Sequence, residues 1–159
     1  MSKIPDLTLM ICTCFLFTQC VNNPILPDSR DISQLTLAEK NLVESDNRFG
    51  FKLFKEISGE EKDKNIFISP LSVAMALGMT YNGADGSTQE AMQKTLELSG
   101  LTLQEINKSY KNLIELLTNL DEKVRFQIAN SIWYREVFLI ESEFIEINKT
   151  YFDAEVSGL

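Results

Sequence analysis

Three glutamates near the end of the chain are the clearest candidates for acid–base chemistry or cation binding. Glu141, Glu143 and Glu146 lie at the start of a stretch whose apolar residues recur at helical spacing. Paired carboxylates can act as general acid and general base, and a carboxylate cluster can bind Ca²⁺. Acidic residues are also favoured at the start of any helix, because they interact with the positive end of its dipole. We therefore interpret them as a solvated helix start, and we expect no catalytic residue, no metal site and no cofactor.

The composition excludes several other kinds of chemistry. The 159 residues include no His, so the sequence has no Ser-His or Cys-His catalytic pair and no imidazole metal ligand. The 23 acidic and 15 basic residues give a net charge of −8, which disfavours binding to the phosphates of nucleic acids. With 44% hydrophobic and 24% charged residues, the chain has the composition of one globular domain.

The first twenty residues have the pattern of a targeting signal. Lys3 precedes an apolar run over residues 7–17, which is too short to span a bilayer and ends at a polar break. All three cysteines, Cys12, Cys14 and Cys20, fall in this region. The rest of the sequence therefore contains no thiol, which suits an exported protein.

The end of this signal allows two types of export. Cleavage before Cys20, with a lipid attached to that cysteine, resembles a bacterial lipoprotein signal, although Phe17 and Gln19 replace the usual aliphatic and small residues. The alternative is a simple secretory signal. We therefore predict a signal peptide over residues 1–20, a turn-rich spacer over 21–35, and an extracellular or cell-surface protein that the lipoprotein alternative would anchor to a membrane.

Beyond residue 35 the sequence shows helical patterns and one strand pattern. Capping signatures with Glu three residues later begin at Thr36, Ser87 and Thr102, and each precedes apolar residues at helical spacing. From Val124 apolar and polar residues alternate, which is typical of a strand. The predicted helices cover residues 36–58, 69–81, 87–99, 102–120 and 142–152, and the predicted strand covers residues 124–135.

Two of these elements require more covering than the chain offers. The helix from Ser69 has almost no polar face, so we predict that it is the most buried helix. A single long strand leaves backbone groups unpaired along both edges. We also interpret Met75, Met79, Met92 and Trp133 as core residues. Both patterns indicate that the chain is part of a larger domain.

Two stretches of the sequence resemble the serpins, the serine protease inhibitor family. Residues 65–77 (NIFISPLSVAMAL) and 82–88 (NGADGST) are similar to the second helix and following turn of that family. Residues 49–53 resemble its first helix and residues 126–134 the second strand of its central sheet. Residues 144–155 resemble the next helix and the start of a further strand, so the motifs also follow the order of the family.

The resemblance covers about residues 36–159 and implies an α+β fold. We expect the N-terminal part of a serpin domain, with about five helices and one long strand of the central sheet. Everything after that region, well over half of a complete serpin, is missing from the sequence. The expected domain is therefore incomplete, or truncated.

The resemblance also implies a set of site residues that move when the central sheet of a serpin opens. In this family the hydroxyls of the shutter segment bond to strand backbone and exchange partners as strands separate. The residues that match the shutter, the adjoining turn and the strand asparagine are Ser69, Pro70, Ser72, Gly83, Thr88 and Asn130. For Ser69 the alternative from the sequence alone is a helix N-cap, with Pro70 in the first helical turn.

The implied function is that of an exported serine-type endopeptidase inhibitor. In a serpin, a reactive loop is attacked by a serine or cysteine protease as a suicide substrate and then inserts into the central sheet. The loop is not present in this sequence, so the chain would be the N-terminal part of such an inhibitor. The alternative is a non-inhibitory helical surface lipoprotein or interaction module.

Two further features bear on partners. Some serpins bind sulfated polysaccharide through a basic helix that corresponds to residues 102–120. Here that region carries only Lys108 and Lys111, set among Glu105, Glu115 and Asp121, so we expect no polyanion cofactor. Asn107 and Asn148 each begin an N-x-S/T sequence, which is a glycosylation site if the exporting cell glycosylates it.

Overall fold

The computed structural model describes residues 34–121 and 123–159. The predicted signal peptide with Cys20, and nearly all of the predicted spacer, lie outside the described residues. The elements of the described part, in chain order, are α1 (Leu37–Glu60), α2 (Pro70–Tyr81), α3 (Gly86–Thr95), α4 (Leu103–Thr118), β1 (Asn130–Tyr134), α5 (Ser142–Phe152) and β2 (Ala154–Gly158).

Helices α1 and α4 begin where the capping signatures predict. The Thr36 hydroxyl accepts a hydrogen bond from the Glu39 backbone N–H at 3.2 Å, and the Glu39 carboxylate accepts from the Thr36 N–H at 2.6 Å. Thr102 and Glu105 form the same reciprocal pair at the start of α4. Glu39 also receives a hydrogen bond from the side chain of Asn112, which holds the pKa of Glu39 below its ordinary value and joins α1 to α4.

The predicted bounds of α3 are wrong at both ends. The N-cap is Asp85, whose carboxylate accepts from the Gly86 N–H at 2.7 Å, so Ser87 lies inside the helix. Gly86 has a φ of +54°, a left-handed conformation that glycine adopts without steric cost. The helix ends before residue 99 because Glu97 takes a φ of +60° and its carbonyl accepts from the Ser45 hydroxyl at 2.8 Å.

The predicted strand over residues 124–135 is shorter than expected. The strand is confined to Asn130–Tyr134, and it pairs in parallel with β2 from Asn130 opposite Ala154 to Tyr134 opposite Gly158. Residues 124–129 keep the alternating pattern, but within the described part of the chain no neighbouring strand pairs with them. Helix α5 connects the two strands, as parallel pairing requires, and the expected further strand at Ala154 is confirmed.

The core lies where α2 packs between α1 and α5, with α4 across both of those helices. Met75 and Met79 are buried on α2 as predicted, and Met92 is partly buried. The opposite side of α2 is less covered, and Val73 on that side is 37% exposed. The core assignment of Trp133 is wrong: its side chain is 53% exposed, and its indole N–H donates to the Ser131 hydroxyl at 3.1 Å. Trp133 lies on the outward side of β1, where nothing in the described part covers it.

A glycine on α2 sets how closely the helices approach. A Cβ on Gly78 would lie 3.1 Å from Cε2 of Tyr110 and 3.4 Å from Cε1 of Phe152. These two rings are fully buried and pack against each other with centroids 5.2 Å apart, so neither ring can move away freely. An added Cβ would therefore fit at this position only if one of the two buried rings shifted by a few tenths of an ångström.

We expect Gly78→Ala to destabilise the protein by about 1–3 kcal/mol, because overpacking exceeds the helix propensity gained. The matched control is Gly59→Ala near the end of α1, where no described atom lies within 4 Å of the added Cβ. That variant should gain about 0.5–1 kcal/mol. Urea unfolding of the intact protein measures both, and equal effects would contradict the packing argument.

Candidate functional site

A cleft of about 460 Å³ lies between α2 and residues 126–131. Three of the predicted site residues, Ser69, Ser72 and Asn130, line this cleft together. We call it the shutter cleft. Its walls combine hydroxyl and amide groups with apolar side chains of α2, among them Met75 and Met79. The structure therefore brings half of the predicted set to one place.

The two serines of the shutter cleft bond to each other. Ser69 occupies the N-cap position of α2, but its hydroxyl makes no cap hydrogen bond to the described backbone. Instead, the Ser69 and Ser72 Oγ atoms lie 2.8 Å apart, and either hydroxyl can donate to the other. Ser69 therefore occupies the N-cap position that the alternative predicted, but its side chain does not make the hydrogen bond of an N-cap. Both residues are exposed, so each hydroxyl is accessible to a further partner.

Asn130 has a fixed partner. Its side-chain N–H donates to the backbone carbonyl of Phe152 at 2.8 Å, which ties the start of β1 to the end of α5. Asp153 follows in the left-handed conformation, with a φ of +49°, and the chain turns there into β2. Asn130 therefore holds the junction of both strands with α5.

The other predicted site residues do not join the shutter cleft. Pro70 begins α2 and packs against α1, where a Cβ on Gly50 would lie only 2.9 Å from the Pro70 Cβ. Gly83 contacts the ring of Phe144, whose Cε2 atom would lie 3.0 Å from an added Cβ. Thr88 is exposed and lines a separate hollow beside α3.

A second cleft, of about 600 Å³, lies between α1, residues 66–71 and α4. We call it the apolar cleft. Three phenylalanines on its walls, Phe51, Phe54 and Phe67, are largely exposed. Its one carboxyl group belongs to Asp46, a half-buried residue of α1.

Asp46 is a further residue of the apolar cleft that the motifs in the sequence did not indicate. The Tyr110 hydroxyl donates to Asp46 Oδ1 at 2.9 Å, while Asp46 Oδ2 is enclosed and meets no hydrogen-bond donor of the described residues. Burial raises the pKa of Asp46 to about 6. Burial also raises the pKa of Tyr110 well above its ordinary value. The signal was available, because Asp46 falls at helical spacing between Leu42 and Phe49 on the apolar side of α1.

The glutamates near α5 are exposed, as a solvated helix start requires. Glu141 occupies the N-cap position without a side-chain cap bond to described residues, and Glu143 lies in the first turn. Over residues 34–121 and 123–159, no three acidic, His or Cys side chains are grouped as a metal site would need. The same part of the chain holds no helix with the length and apolarity of a membrane span.

The two glycosylation sequences contain buried asparagines. Asn107 is 3% exposed, and its amide exchanges two hydrogen bonds with the amide of Asn82 at 3.0 and 2.8 Å. Asn148 is fully buried and donates to the Phe144 carbonyl at 2.9 Å. Neither side chain is accessible to a glycosyltransferase once the chain has folded.

Comparison with known proteins places this architecture in a family. The profile of the family described as Serpin (serine protease inhibitor) matches residues 44–159. The chain belongs to the serpin family. The resemblance of residues 65–77 and 82–88 is thereby confirmed, together with the expected α+β fold of part of a serpin.

Individual serpins match over most of this chain. Serine protease inhibitor A6 of Xenopus laevis is 34% identical over 131 residues, which cover 79% of this chain and 30% of that protein. Neuroserpin of Mus musculus is 29% identical over 114 residues, which cover 72% and 28%. The structure of reactive-loop-cleaved human thyroxine-binding globulin superposes with a TM-score of 0.69 at 29% identity, over 76% of this chain and 36% of that one. This serpin chain thus spans less than a third of the length of Serine protease inhibitor A6 and of neuroserpin.

Proposed function

We propose that the protein carrying this chain inhibits a serine or cysteine protease as a suicide substrate. The observation that carries the proposal is the family match over residues 44–159, since the family is described as one of serine protease inhibitors. The reactive loop that a protease attacks belongs to the part of the relatives that this chain does not span. Inhibition is accordingly a property of the whole inhibitor, to which these residues contribute part of the framework.

The contribution of this chain is a section of the sheet and the cleft under it. Strand β1 pairs with β2 on one edge, and within the described residues its other edge is unpaired. A strand edge offers backbone N–H and C=O groups to a further strand. Phe126 and Trp133 are about half exposed on and beside β1, so added strands would also bury apolar surface. Strand pairing and burial supply the free energy that loop insertion needs.

The shutter cleft has the contacts that a reversible opening needs. Ser69 and Ser72 are exposed and bond to each other, so each hydroxyl can change to a backbone partner without a lasting loss of hydrogen bonds. Asn130, in contrast, is held by the Phe152 carbonyl. We therefore assign the movable role to the serines and the anchoring role to Asn130.

The first test mixes the intact protein, at its full natural length, with active trypsin-like, chymotrypsin-like and papain-like proteases. We expect at least one protease to form a covalent complex that survives denaturing electrophoresis, because loop insertion traps the acyl-enzyme. The control is the same protease with its catalytic nucleophile replaced by Ala, which should give no such band. Cleavage of the protein by every protease without a stable complex would contradict inhibition and favour a non-inhibitory role.

The second test concerns the serines. With a protease that passes the first test, Ser72→Ala should raise the moles of inhibitor consumed per mole of protease inactivated, because sheet opening loses its hydroxyl exchange. It should also lower stability by about 1 kcal/mol, the contribution of an ordinary hydrogen bond. Thr88→Ala is the matched control, since Thr88 is exposed and lies outside the shutter cleft. Equal stoichiometry for both variants would contradict the shutter role.

For localisation we propose export through residues 1–20, with Cys20 as the lipid attachment site. The proposal is supported by the apolar run at residues 7–17 and by the absence of cysteine after Cys20 in the sequence. A thiol-free remainder is suited to an oxidising environment. Export would also place the protein where it meets secreted proteases.

The test of export is labelling with palmitate in the native host. We expect the intact protein to incorporate the label and Cys20→Ala to lose it, because the thiol of Cys20 is the acceptor. Cys12→Ala is the control and should lose neither label nor export, since Cys12 lies in the segment that is removed. Export of the unchanged protein without label would exclude the anchor and leave the simple secretory signal.

A further inference from the structure

We propose that the buried contact between Asp46 and Tyr110, which we call the latch, makes the packing of α1 against α4 more stable in acid than at neutral pH. Asp46 lines the apolar cleft, and neither Asp46 nor Tyr110 lines the shutter cleft. It is a property of the fold of residues 37–118, and it does not depend on the proposed inhibition.

The Asp46 carboxyl group has a hydrogen-bond partner for only one of its two oxygens among the described residues. Asp46 Oδ1 accepts from the Tyr110 hydroxyl at 2.9 Å, and Oδ2 is enclosed without a donor among the described residues. An ionised carboxylate with one enclosed, unpartnered oxygen loses hydration without full compensation. A proton on Oδ2 removes the charge and leaves the bond from Tyr110 intact. The protonated form of Asp46 therefore suits this site better than the ionised form.

The charged side chains around Asp46 do not compensate its negative charge. Residues 66–71 contribute no titratable side chain to the apolar cleft, and α4 contributes only Tyr110 to the Asp46 carboxyl. On α1, the guanidinium of Arg48 bonds to Glu44 at 2.6 Å and lies 3.5 Å from Glu97, so it is engaged elsewhere. No cation of the described part of the chain compensates Asp46 when it ionises.

The direction of the pH dependence follows from these contacts. Burial raises the pKa of Asp46 from 3.8 to about 6, so the folded state binds the proton more tightly than the unfolded state. The resulting stabilisation is complete below about pH 3.8 and is lost as pH rises through about 6. Tyr110 remains a donor throughout this range, because burial raises its own pKa well above its ordinary value.

The latch is in contact with the rest of the core. The ring of Tyr110 packs on Phe152, and the carbonyl of Phe152 accepts from Asn130 at the shutter cleft. Ionisation of Asp46 therefore places a buried, uncompensated charge beside a side chain on which α1, α2 and α5 all pack.

The test compares the intact protein with its Asp46→Asn variant in urea unfolding between pH 4 and pH 7.5. Asn resembles the protonated carboxyl and does not ionise. The ratio of the unfolding constants, unchanged protein over variant, should rise with pH by up to about a hundredfold, which corresponds to a pKa of about 6 against 3.8. Glu56→Gln removes an exposed charge from the same helix and should leave that rise in place.

A second variant and a direct measurement complete the test. Tyr110→Phe removes the one donor to the carboxylate, so the pH dependence should persist with its midpoint moved upward. The carboxyl ¹³C resonance of Asp46 should titrate near pH 6 in the unchanged protein. A ratio that does not change with pH, or a carboxyl midpoint below pH 4.5, would overturn the latch.

Discussion

The packing of the Tyr110 side chain is the interaction on which the rest of this fold depends. Tyr110 projects from α4 and is fully buried, and its hydroxyl donates to Asp46 on α1. Its ring lies against Phe152 on α5, and Gly78 on α2 leaves just enough space for both rings. Four helices thus meet on one side chain. A larger residue at position 78 or a shorter one at position 110 would disturb all of their contacts at once.

The same constraint explains why glycines lie where helices and turns approach most closely. Gly50 admits the ring of Pro70, so that α1 and α2 touch at the first residue of α2. Gly83 admits the ring of Phe144, which brings the turn after α2 onto α5. Gly83 and Pro70 match family motifs, and in this structure both serve packing.

Features that depend on local interactions could be predicted from the sequence. Features that depend on pairing between distant segments could not. The starts of α1 and α4 followed from Thr36 and Thr102, whose capping partners lie three residues away. The extent of β1 depends on β2, more than twenty residues later, so the alternation from Val124 overstated its length. Asp46 was missed because its partner Tyr110 is 64 residues away. For the site, the family motif supplied Ser69, Ser72 and Asn130, while their grouping around one cleft required the structure.

The start of α2 lines both clefts. Ser69 lines the shutter cleft, Pro70 lines the apolar cleft, and Leu71 contacts both. Pro70 lies close to Gly50 of α1, since a Cβ at position 50 would lie 2.9 Å from the Pro70 Cβ. Ser69 precedes Pro70 directly and lines the same cleft as Asn130, whose side-chain N–H donates to the Phe152 carbonyl. The first residues of α2 therefore border both the polar groups of the shutter cleft and the contact of α2 with α1.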